Sequence, residues 1–219
     1  MGKYTIKQIK IPGHNGDVPN TFYFQNKKTD KLAIVFPGLG YSCHMPLLYY
    51  STLILLNKGF DVLWVEANYG KNKDYMARSK EMQMQWLRED TISAIKSVLI
   101  KRNYRHAAMV GKSLGTVSLA LLLPEKSLPK DTRNVWLTPL LNDRDINELI
   151  EMNPGRKSLF IIGTDDAYYD AKQLRRILRT TKDRSLVLKG ADHSLEIGDD
   201  TFASMSVLRK TLKAIRRFV

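Results

Sequence analysis

The sequence predicts an α/β protein: a mainly parallel sheet with helices on both faces, behind an antiparallel N-terminal hairpin. Three observations predict it. Short apolar runs alternate with longer amphipathic stretches, which is the strand–helix alternation of a parallel sheet. The runs KLAIVF, DVLWVEA, HAAMV, NVWLTP and SLFIIG are nearly continuous in apolar residues, as strands covered on both faces are. Only the N-terminal KYTIKQIKI alternates polar and apolar at period two, as a strand with one wet face does. The 219 residues suit a single domain, 1–219, because α/β folds reach roughly 200–250 residues as one unit.

The elements follow in order. KYTIKQIKI pairs with TFYFQ, which follows Pro19, and the two are joined through PGHNGD. KLAIVF is the next strand. PLLYYSTLILLNKG is a helix ended by Gly59, a residue suited to the position after a helix. DVLWVEA is a strand. Residues Lys80 to Lys101 carry Met84, Leu87, Ile92, Ile95, Val98 and Leu99 at helical spacing. HAAMV is a strand and TVSLALLL a helix. PEKSLPKDTR, Pro124 to Arg133, reads as a polar loop. After NVWLTP, the segment PLLNDRDINELIEMNPGRK holds one short helix opened by Asn142 or Asp143. It forms a short cap at about 140–157. SLFIIG, YYDAKQLRRILRTT, RSLVLKG and TFASMSVLRKTLKAIRRFV complete the alternation.

With 43% apolar and 9% aromatic residues, the chain can bury a core and is not disordered. One cysteine, Cys43, excludes an intrachain disulfide framework and fits a reducing, cytoplasmic setting. MGKYTIKQIK has no apolar signal core, and Ile6 stands where myristoylation of Gly2 wants Ser or Thr. No apolar run is long enough to span a membrane. The formal charge of +13 raises a nucleic-acid-binding reading. Its strongest patches, LRRILRTTKDR and LRKTLKAIRRF, interleave charge with apolar residues at core spacing, so the charges decorate solvent faces. The basic residues recur on several elements rather than in one block. The charge is therefore read as a solubility or steering feature, and no specific nucleic-acid partner is expected.

The run HAAMVGKSLGTVSLALLL, His106 to Leu123, contains Gly-Lys-Ser. A P-loop needs a glycine five residues before Gly111, and that position is His106, inside an apolar strand run. The alternative is Gly-x-Ser-x-Gly over Gly111 to Gly115, between a strand and a helix. There Ser113 sits on a sharp turn as a nucleophile, and the glycines admit neighbouring backbone. The helix behind it offers N–H groups to a developing oxyanion.

Such a serine needs an acid and then a histidine further along the chain. Of four histidines, His14, His44 and His106 precede Ser113, which leaves His193 in KGADHSLEIG. The acid should follow SLFIIG, where Asp165 and Asp166 both qualify. Asp131, Asp143 and Asp145 lie in loop and cap segments that suit helix capping or solvation. A Cys43–His44 pair is set aside, because adjacent side chains at a helix start point apart. No cluster has metal-ligand spacing, and no cofactor is expected.

Through FPGLGYS, GKSLG, IIGTDDAYYD and GADHSLE the chain resembles the α/β-hydrolase superfamily, in particular its small bacterial esterase-like members. The resemblance implies the α/β-hydrolase fold with a minimal cap and a Ser113–Asp166–His193 triad, with Asp165 as the alternate acid. It implies an oxyanion hole from the amides of Leu114 and Leu39, with Gly40 or Tyr41 as alternates. Two positions depart from the family. Pro37 stands where many members carry histidine, and Lys112 where His, Gln or an apolar residue is commoner. Lys112 is expected to pack or pair with an acid. Tyr168 and Tyr169 are expected to be structural. Leu140, Leu141, Ile146 and Leu149 either line an acyl pocket or pack the cap helix on the sheet.

The expected activity is serine hydrolysis of an ester, thioester or amide of a small molecule, an anionic or acyl ester among the candidates. The competing readings are a basic nucleic-acid-binding protein and a non-catalytic protein of the same fold.

Overall fold

The computed structural model describes residues 3–219. Gly2, weighed above for acylation, lies outside the described residues. In chain order the elements are β1 (Tyr4–Lys7), β2 (Pro12–Gly13), β3 (Gly16–Asp17), β4 (Asn20–Gln25), β5 (Lys31–Phe36), α1 (Pro46–Asn57) and β6 (Asp61–Val65). Then come α2 (Lys73–Met76), α3 (Lys80–Leu99), β7 (His106–Lys112), α4 (Leu114–Leu122), β8 (Asp131–Leu137) and α5 (Arg144–Met152). The chain finishes with β9 (Lys157–Gly163), α6 (Ala171–Thr181), β10 (Arg184–Leu188) and α7 (Thr201–Phe218).

Eight strands form one sheet in the order β1-β4-β6-β5-β7-β8-β9-β10. β4 pairs antiparallel with β1 and β6. Every other pairing in this sheet is parallel. This is the predicted architecture: a mainly parallel sheet behind an antiparallel hairpin. Alternate residues of each central strand feed opposite layers, as the two-residue strand period requires. Ile34, Leu63, Met109, Trp136 and Phe160 pack under α3, α4, α5 and α6. Val35, Val62, Val110, Leu159 and Ile161 pack under α1 and α7. Among the described residues no helix is long and apolar enough to cross a membrane.

Three details differ from the sequence reading. The first strand ends at Lys7, short of Ile11. The Asn20 side chain accepts from Ile9 N at 3.0 Å and donates to Ile9 O at 2.8 Å, replacing ladder bonds with an amide clamp. The hairpin connection carries its own small ladder, Pro12 opposite Asp17 and Gly13 opposite Gly16. β8 starts at Asp131, so three residues read as loop extend the sheet, drawn in by pairing with β7.

Helix α5, in the segment read from the sequence as a cap, is opened by Asp143, whose carboxylate accepts from the amides of Asp145 and Ile146. Leu141 and Ile146 are buried in the core, and Leu140 and Leu149 pack against it. These four residues therefore pack the α5 segment onto the core.

The turn from β7 into α4 brings backbone against backbone. A Cβ on Gly115 would lie 2.1 Å from Phe36 O, and one on Gly111 would lie 2.4 Å from Gly115 O. Both contacts are with main chain, which cannot swing away as a flexible side chain does. Gly115→Ala should therefore cost about 3 kcal/mol, the upper end of overpacking penalties. A urea titration should show a lowered midpoint. An unchanged midpoint would mean that α4 yields freely.

Candidate active site

Three loops at the C-terminal ends of parallel strands converge. Ser113 joins β7 to α4 at φ 51°, ψ −116°. This backbone conformation is strained for a residue with a Cβ and is held by the packing at Gly111 and Gly115. The Ser113 amide donates to Leu137 O at 3.0 Å, which ties the turn to β8.

His193 lies in the loop after β10. Its Nε2 is 2.9 Å from Ser113 Oγ, and its Nδ1 is 2.9 Å from both carboxylate oxygens of Asp166. Asp166 sits in the loop after β9, its side chain fully buried, while the His193 side chain stays 33% exposed. The Tyr168 amide donates to Asp166 Oδ1 at 2.9 Å, and the Tyr168 ring lies 5.0 Å from the His193 ring. Asp165 turns the other way. It is exposed, and its carboxylate accepts from Thr164 Oγ1 at 2.9 Å.

The loop after β5 faces Ser113. Gly38 is the close point, since a Cβ there would lie 3.4 Å from Ser113 Cβ. Its amide is committed to Tyr41 O at 2.9 Å, which closes the loop on itself. The amides of Leu39 and Leu114 make no hydrogen bond among the described residues. The N-terminus of α4 thus leaves N–H groups available beside Ser113.

Lys112 is the residue that sequence reasoning undervalued. It is 1% exposed and makes no ion pair among the described residues. Its Nζ donates to the His193 carbonyl at 2.7 Å and to Thr138 Oγ1 at 3.0 Å, and lies 4.8 Å from the Tyr41 ring centroid. Of the two expected roles, packing or pairing with an acid, it packs in the interior and forms a polar hub in place of an ion pair. One ammonium joins the elbow, the sharp turn at Ser113, to the histidine loop and the loop after β5. The signal available was the lysine itself, an unusual charge between an apolar strand and the elbow.

A cleft of about 620 Å³ opens beside Gly38, lined by the loop after β5 and by residues after β6, among them Leu39, Met45, Ala67, Gly70 and Lys71. On its wall Glu66 accepts from Thr21 Oγ1 at 2.6 Å and lies 3.2 Å from His44 Nε2. The cap residues do not line it. The neighbouring Cys43 is buried, and burial together with Glu66 pushes its thiol pKa up, so it lacks thiolate character.

Burial lowers the Lys112 pKa from its ordinary 10.5 to about 8, against the opposing pull of Asp166, Asp192 and Glu196. Between those values the unfolded chain binds more protons than the folded one, so this residue makes stability rise with pH there. The cost of the buried cation is fully present below pH 8. The stability difference between the protein and Lys112→Met should therefore move in favour of the protein by about 2 kcal/mol from pH 7 to pH 10. Parallel urea titrations would measure it, and a pH-independent difference would refute the depressed pKa.

No family model matches the chain, and no curated protein sequence does. Solved structures match across nearly its whole length. An esterase of Pyrococcus furiosus has a TM-score of 0.70 at 14% identity, covering 98% of this chain and 93% of that one. An α/β serine hydrolase homologue from Coxiella burnetii has 0.70 at 14%, covering 98% and 95%. A Xanthomonas campestris member of the α/β serine hydrolases without lid has 0.65 at 16%, covering 99% and 95%. At such identities the likeness speaks for architecture: the chain has the α/β-hydrolase fold.

Proposed function

We propose that the protein is a serine hydrolase that cleaves a small ester through an acyl-enzyme. The observation that carries this reading is the continuous chain of contacts from Asp166 through His193 to Ser113, each 2.9 Å long, with the serine on a strained elbow.

His193 Nε2 accepts the Ser113 hydroxyl proton as Oγ bonds to the carbonyl carbon. Asp166 holds the imidazole in the tautomer that leaves Nε2 free to accept, and it stabilises the cation that forms. The amides of Leu39 and Leu114 receive the oxyanion, and each such donor contributes on the order of 3 kcal/mol to lowering the barrier. The tetrahedral intermediate then collapses. The ester C–O bond breaks, and His193 returns its proton to the leaving alkoxide. Water enters, gives its proton to His193 and attacks the acyl carbon. Ser113 regains its proton as the acid leaves. The half-open cleft beside Gly38 takes the part of the substrate that lies beyond the oxyanion.

Mass spectrometry after fluorophosphonate treatment should find a single adduct on Ser113, and Ser113→Ala should abolish it. Labelling that persists in that variant would reject the assignment. Asp166→Asn should lower kcat on the order of 10⁴-fold, whereas Asp165→Asn should leave it nearly unchanged. The reverse pattern would transfer the acid role to Asp165.

A further inference from the structure

Basic residues far apart in the chain converge at the end of the sheet opposite Ser113. Arg133 lies near the start of β8, Lys157 opens β9 and Arg184 opens β10. Strand alternation gives all three the same face. They share parity with Val135, Leu159 and Leu188, which pack under α1 and α7. The strand register sets Arg133 directly beside Lys157 on the adjacent strand, and Arg184 beside Leu159 on the next. Lys182, just past α6, and Arg217, in the last turn of α7, complete the wall of a cleft of about 410 Å³.

Like charges side by side on neighbouring strands destabilise a sheet, and little here relieves them. Asp183 is the one acid in the wall. Its carboxylate accepts the Ser158 amide at 2.7 Å, and burial pushes its pKa up. Among the described residues Lys157, Lys182, Arg184 and Arg217 make no ion pair. Arg133 lies 3.8 Å from Asp131 and donates to the Phe218 carbonyl. The C-terminal ends of α6 and α7 each supply roughly half a negative charge. Together with Asp183 and with Asp131, whose carboxylate acts on both Arg133 and Lys157, they offset part of the five positive charges and leave a positive excess. The excess reaches nearby Lys58, whose pKa is lowered by burial and then by Arg133, Lys31 and Arg216. A local arrangement that opposes stability with only partial compensation is characteristic of a functional site.

We propose that this cleft binds a compact anion carrying two or more phosphoryl groups. Guanidinium forks and ammonium groups are the donors that match phosphoryl oxygens. The hollow sets the size of the ligand: its lining cations share about 410 Å³, and on its β7 side Arg105 pairs with Asp30 and His106 with Asp131. A positive hollow that ends in paired charges suits a short polyphosphate rather than a nucleic-acid track. The site is separate from the proposed triad. β9 runs from Lys157 to Gly163, so the two ends of that strand lie roughly 20 Å apart at about 3.3 Å per residue.

The test is calorimetric titration of the full chain with sodium tripolyphosphate, orthophosphate and a short single-stranded oligonucleotide, at about 0.15 M salt. Tripolyphosphate should bind more tightly than both other probes. The variant pair Lys157→Gln with Arg184→Gln removes two exposed cations and leaves Arg133 in place to hold Phe218. It should weaken tripolyphosphate binding by about tenfold or more. It should also melt no lower than the parent, because a like-charge contact is relieved. Absence of tripolyphosphate binding to the parent would overturn the proposal, as would equal binding by the variant. Tighter binding of the oligonucleotide than of tripolyphosphate would overturn it in favour of a nucleic acid.

Discussion

Helix α4 meets the end of β5 with no side chain between them, and the site depends on that contact. A Cβ on Gly115 would fall 2.1 Å from Phe36 O. The close approach fixes how far α4 can move from the sheet. This in turn fixes the turn at Ser113, which could otherwise relax from its positive φ. The same approach sets Gly38, two residues past Phe36, against the Ser113 Cβ. A serine, a free helix N-terminus and a loop with open amides thus share one small volume, because main chain packs directly on main chain.

Lys112 works at the next level. The elbow and the loop after β5 come from paired strands, but the histidine loop follows β10, three strands from β7, so sheet hydrogen bonding alone does not hold it against the other two. A buried ammonium that donates to the His193 carbonyl and to Thr138, and lies beside the Tyr41 ring, couples all three. Its burial opposes stability at neutral pH, as the depressed pKa records. An apolar residue could fill the space but could not satisfy the inward-facing His193 carbonyl.

The fold was legible because its signals are local. Apolar runs, helical spacing and the glycines around Ser113 are properties of short windows. The residues that meet at the site were legible from chain order, since only His193 follows Ser113 among the histidines. The choice between Asp165 and Asp166 was not legible from residue type. It is set by which side of the turn faces His193, and the Asp165 backbone is fixed by its own N–H, which donates to Ala191 O at 3.0 Å. The cleft-lining segment after β6 carries no periodic pattern, so its place beside Gly38 comes only from the β5–β6 pairing. The convergence of Arg133, Lys157 and Arg184 was equally hidden. Their positions look dispersed along the chain, and only the strand register makes them neighbours.

The elbow hangs on β7, which is paired on both sides, whereas the histidine loop hangs on β10, the edge of the sheet. β10 is mostly exposed along its length and pairs only with β9. Edge elements open locally at a lower free energy than the centre of a sheet does. Were β10 to open, the sheet would no longer hold the histidine loop, and its tie to the elbow would rest on the Lys112 bond to the His193 carbonyl and on the His193 contacts with Asp166 and Ser113. The edge strand is thus the weakest support of the candidate site, and the buried ammonium is its reserve.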